Sequence, residues 1–219
     1  MSKHWIKEDL KQDVVLDNAE KVIAFIKAHR DYVIGSLVSL IIVAVVGYAV
    51  AARMQSVRQT AWEKLFQAEQ LAYADKVDDS FKVIAEIDKD FSGSDVWPYA
   101  QLLKGDTLFQ QKKYADAAAA YENLIKRGKP ALLQPFAYAG DVESLESAGN
   151  YSEAIAKAQT FLSKQPEHFL APQIYLSMAR SQELSGNAAG ARESYEKVGL
   201  HYPNTYWAAM AAAKLTTKK

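Results

Sequence analysis

The chain has 219 residues, 49% of them apolar and 24% charged, the proportions of an ordinary folded protein. Lys plus Arg equals Asp plus Glu at 26 each, split evenly as six and six over residues 1–31 and twenty and twenty over 53–219, which excludes a basic field for nucleic acid. The absence of cysteine excludes disulfides, thiol catalysis and Cys-ligated zinc, and it fits a reducing cytoplasm and a bacterial periplasm equally well.

Residues 1–31 read as a short N-terminal cytoplasmic segment. Val22, Ile23, Phe25 and Ile26 lie among Glu20, Lys21 and Lys27. That pattern suits a helix lying on the membrane surface, or a helical extension of the segment that follows. Residues 32–52, from Tyr32 to Ala52, carry no charge. A helix of that length rises about 31 Å, close to the thickness of the hydrocarbon core. Tyr32 and Tyr48 lie toward its ends, where aromatic rings favour the interface, and Arg30 and Arg53 can reach the headgroups. The run is too long, and begins too late, for a cleaved signal peptide. We therefore expect a single transmembrane helix. Lys11, Lys21, Lys27 and Arg30 precede it, against Arg53, Arg58 and Lys64 after it. That balance favours a cytoplasmic N-terminus and an exported C-terminal domain. Gly35–Ser39 and Gly47–Ala51 are small pairs of the kind that can seat another transmembrane helix.

From residue 53 to 219 the chain repeats itself every 37 residues. One column holds Ser80, Ala117, Ala154 and Ala191. Others hold Ile84, Tyr121, Ala158 and Tyr195; Ile87, Leu124, Phe161 and Val198; and Pro98, Pro135 and Pro172. Gly149 and Gly186 open a turn in the same phase. The apolar spacing within a unit predicts two helices, with the proline in the first turn of the first one. The small column suits two helices crossing closely, with the larger residue four places on filling the groove. Units are expected at about 59–93, 94–130, 131–167 and 168–204, with a closing helix at 205–215. No Pro or Gly occurs between Val50 and Asp90, so the membrane helix is expected to run on into the first repeat helix, to about Tyr73. That would hold the array close to the membrane.

The segment GDTLFQQKKYADAAAAYENL resembles the tetratricopeptide repeat through Gly105, Tyr114, Ala117 and Tyr121. Later units resemble it through Gly149, Tyr151, Ala154 and Pro166, then Ala179, Gly186, Ala191, Tyr195 and Pro203. Gln101 and Lys104 depart from it where large apolar residues are usual, and Val142 where a small one is usual. The resemblance implies an all-α fold: an N-terminal transmembrane helix followed by a tetratricopeptide-like helical-repeat solenoid. It also implies a groove lined by first helices that takes peptides or partner helices. The groove positions are Tyr99, Asp106, Gln110, Phe136, Glu143, Gln173 and Arg180. Tyr99 and Phe136 also suit packing between repeats. Trp97 and Trp207 precede helix starts, where capping and partner contact are both open.

Little points to catalysis. His4, His29, His168 and His201 have no metal-site spacing and read as surface residues. No Gly-rich phosphate loop, GxSxG or HExxH pattern occurs. Acid pairs such as Asp78–Asp79 and Glu143–Glu146 read as solvated faces. We expect no enzyme, no cofactor and no metal. The layout resembles the bacterial ancillary subunits of the SecYEG translocon. That implies a bacterial inner-membrane protein with a periplasmic array, partnered by translocon subunits, periplasmic chaperones and emerging chains. The segment LHYPNTYWAAMAAAKL resembles repeats of outer-membrane assembly and cell-division coordinator proteins, which implies an envelope scaffold instead. Self-assembly into an oligomer is a third expectation.

Overall fold

The structure is a computed structural model that describes residues 19–216. The expectations for residues 1–18, His4 among them, lie outside the described residues. The chain divides into two compact units, Met1–Val57 and Arg58–Lys219.

In the first unit, residues 19–28 are helical and His29 forms a turn. Helix α1 begins at Arg30 and ends, in the second unit, at Tyr73. It is one uninterrupted helix, as the lack of Pro and Gly beyond Val50 predicts. Through the uncharged run its large side chains, such as Ile34, Leu40 and Val43, are exposed. The helix is long and apolar enough to cross a membrane. The two serine hydroxyls of that run are satisfied internally: Ser36 Oγ donates to the Val33 carbonyl at 2.9 Å and Ser39 Oγ to that of Gly35 at 2.8 Å. Such back-bonding removes most of their cost in an apolar surrounding.

The second unit is built from helix pairs. The end of α1 pairs with α2 (Val77–Asp90), and α3 (Trp97–Gln110) with α4 (Tyr114–Arg127). After a short 3-10 turn at Ala131–Leu133, α5 (Gln134–Ser147) pairs with α6 (Tyr151–Lys164), and α7 (Ala171–Leu184) with α8 (Ala188–His201). Helix α9 (Tyr206–Thr216) closes the array. The starts of α3, α5 and α7 fall at Trp97, Gln134 and Ala171, and those of α2, α4, α6 and α8 at Val77, Tyr114, Tyr151 and Ala188. Both series keep the 37-residue period. Each proline of the repeat column sits at the second residue of its helix, where no intrahelical donor is lost.

The turn inside each unit has one geometry. Asp75, Lys112, Gly149 and Gly186, again one period apart, all have positive φ. The next residue's amide reaches back to close the preceding helix: Lys76 to Leu71, Lys113 to Leu108, Asn150 to Leu145 and Asn187 to Gln182, at 2.8–2.9 Å. This is a Schellman closure, which favours glycine at the left-handed position. The first two units hold an Asp and a Lys there, so only the later two carry the sequence signal.

First helices pack along one another as well as against second helices, whereas second helices meet one another more sparsely, as in the Lys157–Glu122 pair between α6 and α4. The first helices therefore form an inner layer. Helix α8 buries a single stripe, Ala191, Ser194, Tyr195 and Val198, the i, i+3, i+4, i+7 face of a surface helix. Helix α7 buries Ile174, Leu176, Met178 and Ala179 on several sides. Side-chain size is matched across each pair. Ala68 packs with Ile84, Val142 with Ala158, and Ala179 with Tyr195, while Gly105 lies against Tyr121. Val142 departs from the family's small residue because its partner in the opposing column is itself small.

The departures at Gln101 and Lys104 form a polar contact. Gln101 is 1% exposed and donates from Nε2 to Asp88 Oδ1 at 2.5 Å. Lys104 Nζ lies 3.5 Å from Asp88 Oδ2. The carboxylate on α2 thus satisfies both residues that replace apolar ones.

A second buried charge is less well matched. Asp141, on α5, is 1% exposed. Its Oδ2 lies 3.4 Å from Lys157 Nζ, which also pairs with Glu122, and it finds no hydrogen-bond partner among the described residues. Burial raises its pKa from 3.8 to about 6, against the pull of Lys157. The folded value exceeds the unfolded one. The stability this group contributes is therefore full below about pH 4 and lost as pH rises through about 6. Asp141→Asn is expected to raise stability at pH 8 by about 1–3 kcal/mol, with the gain vanishing near pH 4. Lys157 keeps Glu122 in the variant. Urea unfolding of the full chain in nonionic detergent at both pH values checks this; lower stability at pH 8 would show that the charged pair is net favourable.

Candidate functional site

The inner layer encloses a cleft of about 410 Å³. From α3 it is lined by Leu102, Asp106, Phe109 and Gln110, and from α5 by Phe136, Ala139, Gly140 and Glu143. Each set follows the spacing of one helix face. Tyr121 from α4, Leu170 and Gln173 complete it.

Tyr121 is 3% exposed and is held from both sides by glycine. A Cβ on Gly105 would lie 2.5 Å from its Cε1, and one on Gly140 would lie 2.5 Å from its Cζ. Only hydrogen at those two positions admits the ring. The phenol donates from Oη to Asp106 Oδ1 at 2.6 Å. Burial raises the Asp106 pKa, and the bond from Tyr121 opposes that rise. Burial and then the neighbouring Asp106 carboxylate push the Tyr121 phenol up. Burial also raises Glu143, with Arg180 pulling it down and Glu146 adding to the rise.

Five of the seven residues that the resemblance implies for the groove come together here: Asp106, Gln110, Phe136, Glu143 and Gln173. The other two lie elsewhere. Tyr99 is half-buried against the cluster of Ala61, Leu65, Val96 and Ala100, with its ring 5.2 Å from that of Trp62. Arg180 grips Glu146 through two hydrogen bonds, Nε to Oε1 at 2.6 Å and Nη2 to Oε2 at 2.8 Å. It borders a separate hollow of about 370 Å³ with Leu176, Tyr195 and Met210. Glu143 and Glu146 are both half-buried, so this pair is not the solvated face expected of it. Phe136 keeps 39% exposure and meets Phe169 with ring centroids 6.0 Å apart. The residues that sequence reasoning left out are Leu102, Phe109, Tyr121, Ala139, Gly140 and Leu170. Counting one helix face outward from Asp106 and Glu143 would have found the first two and Gly140.

The tryptophans resolve into structural roles. The Arg127 guanidinium lies 4.6 Å from the centre of the Trp97 ring and donates from Nη1 to the Ser92 carbonyl at 2.6 Å. The stack ties together the two helices of one unit, and the bond to Ser92 reaches the end of the preceding unit. Trp207 packs on the terminal cluster of Leu176, Tyr195 and Ala211. His168 is half-buried beside Phe161 and Phe169, while His29 and His201 are exposed. Among the described residues, no three His, Asp or Glu side chains are placed to hold a metal ion.

Paired helices repeated on a constant period, with an open cleft on the inner layer, define a helical-repeat binding architecture. Comparison with known families agrees. Residues 99–127 and 173–205, covering α3–α4 and α7–α8, match the family described as Tetratricopeptide repeat. These matches support a tetratricopeptide-repeat protein, a class of generally non-enzymatic scaffolds that bind other proteins. No curated protein matches the chain.

Proposed function

We propose that the chain is a membrane-anchored protein–protein interaction scaffold, with residues 32–52 in the bilayer and the repeat cleft as its binding surface. The observation that carries the anchor is the exposed apolar surface of α1. No described residue covers Ile34, Leu40, Ile42 or Val46, and an aqueous protein rarely leaves so large a contiguous apolar surface bare. The scaffold reading rests on the repeat architecture and its cleft. The balance of Lys and Arg around the span supports a cytoplasmic N-terminus and a periplasmic array in a bacterial inner membrane. The layout supports work beside the secretion translocon, with periplasmic chaperones or emerging chains as partners.

Crosslinking in intact membranes followed by mass spectrometry tests this. Translocon and chaperone subunits are the expected products. Recovery of only outer-membrane or cell-division proteins would favour an envelope scaffold, and recovery of only the chain itself would favour self-assembly. Protease added to spheroplasts should digest the array; full protection would overturn the orientation.

A further inference from the structure

The cleft carries an uneven charge. Its lining includes two carboxylates, Asp106 and Glu143, and no Lys, Arg or His. The nearby cations have ion-pair partners outside the lining: Arg180 pairs with Glu146, although its charge also reaches Glu143, Lys104 with Asp88, and Lys157 with Glu122 and Asp141. Its remaining walls are apolar or amide, and its rim holds the exposed Phe136 with Phe169 beside it, 67% exposed. Two carboxylates without a third ligand do not make a cation site. They do make a receptor for one extended cationic side chain whose neighbour packs on an aromatic surface.

We infer that this cleft takes a segment of a partner protein that presents a Lys or Arg beside an apolar side chain, the cation reaching Asp106 and Glu143 and the apolar group resting on Phe136 and Phe169. This rests on the scaffold reading above and names the chemistry of its partner. Burial supports it further. Glu143 is half-buried and its carboxyl is raised by loss of water, and an entering cation restores the stabilisation that water no longer supplies. An acidic segment would add a third carboxylate to the same space, so the cleft selects against it.

The test uses the full chain in nonionic detergent and three short labelled peptides. All share the same Phe and Leu positions, and the remaining positions are all Lys, all Gln or all Glu. Fluorescence anisotropy, corrected for binding to micelles alone, reads the affinities. The Lys peptide is expected to bind on the order of tenfold more tightly than the Gln peptide, and the Glu peptide more weakly still. In the isosteric double variant Asp106→Asn with Glu143→Gln, the Lys and Gln peptides should converge. Equal binding of the three peptides to the natural chain would overturn the inference and leave the scaffold reading intact. So would a charge preference that survives in a folded double variant. Failure of all three to bind would overturn both the inference and the assignment of the cleft as the binding surface. The peptide series on the natural chain decides the matter even if the double variant does not fold.

Discussion

Tyr121→Ala is expected to destabilise the repeat array by about 4 kcal/mol, the range of a large buried aromatic truncated to a methyl. The ring is 3% exposed and lies between two helix backbones, those of α3 and α5, at Gly105 and Gly140. Neither glycine has a side chain that can move into the vacated space, so relaxation is small and the cavity persists. The ring also joins two repeat units, and its removal weakens a nearest-neighbour interface on which such arrays depend. Tyr121→Phe keeps the packing and loses only the bond to Asp106, so a cost of about 1 kcal/mol is expected. Urea unfolding of the full chain in nonionic detergent, followed by tryptophan fluorescence, measures both. Trp62 and Trp97 report the units before the gap and Trp207 the closing helix at the far end of the array. A loss below about 1 kcal/mol for Tyr121→Ala would show that the units repack around the hole.

The second large effect is of opposite chemistry. An alanine in place of glycine inside a helix ordinarily gains about 1 kcal/mol. At Gly105 and Gly140 it is expected to lose about 3 kcal/mol. The new methyl would meet the Tyr121 ring at 2.5 Å in either case. The ring cannot withdraw from one glycine without striking the other. Pairing Gly105→Val with Tyr121→Ala copies the combination that the next unit already uses, Val142 against Ala158. That double variant should be more stable than the sum of its two single losses predicts, with a coupling of at least about 1 kcal/mol. Strict additivity of the two changes would show that Gly105 is not matched to the ring.

The same contact shows what the repeat pattern could and could not reveal. Tyr121 and Ala158 stand in one column one period apart, so the sequence marks both as facing their own first helix. It does not mark Gly140, which lies in no conserved-size column yet admits the Tyr121 ring from the following unit. The groove shows a similar split. Asp106, Gln110, Phe136, Glu143 and Gln173 share one surface because the phase of a first helix relative to its proline is local, and the repeat carries that phase from unit to unit. Tyr99 leaves the groove because its neighbour is Trp62, on α1, the first helix of the preceding unit. Arg180 is committed because Glu146 stands one unit earlier on the adjoining inner helix.

The sequence by itself determined the helix pairs, the period, the turns of the later two units and the uncharged run of α1. Each depends on neighbours within a few residues: proline in a first turn, a left-handed residue closing a helix, an apolar stripe of fixed spacing. Only the tertiary structure decided which polar groups are already satisfied. Gln101 and Lys104 meet Asp88, Arg180 meets Glu146, and Asp141 is buried with an incomplete set of partners. Those pairings join residues of different helices, and their energies depend on distance and on access to water, which the order of residues along the chain does not specify. The acidic, aromatic-rimmed character of the cleft follows from that accounting: the carboxylates that face it are the ones that the fold has left without a basic side chain in its walls.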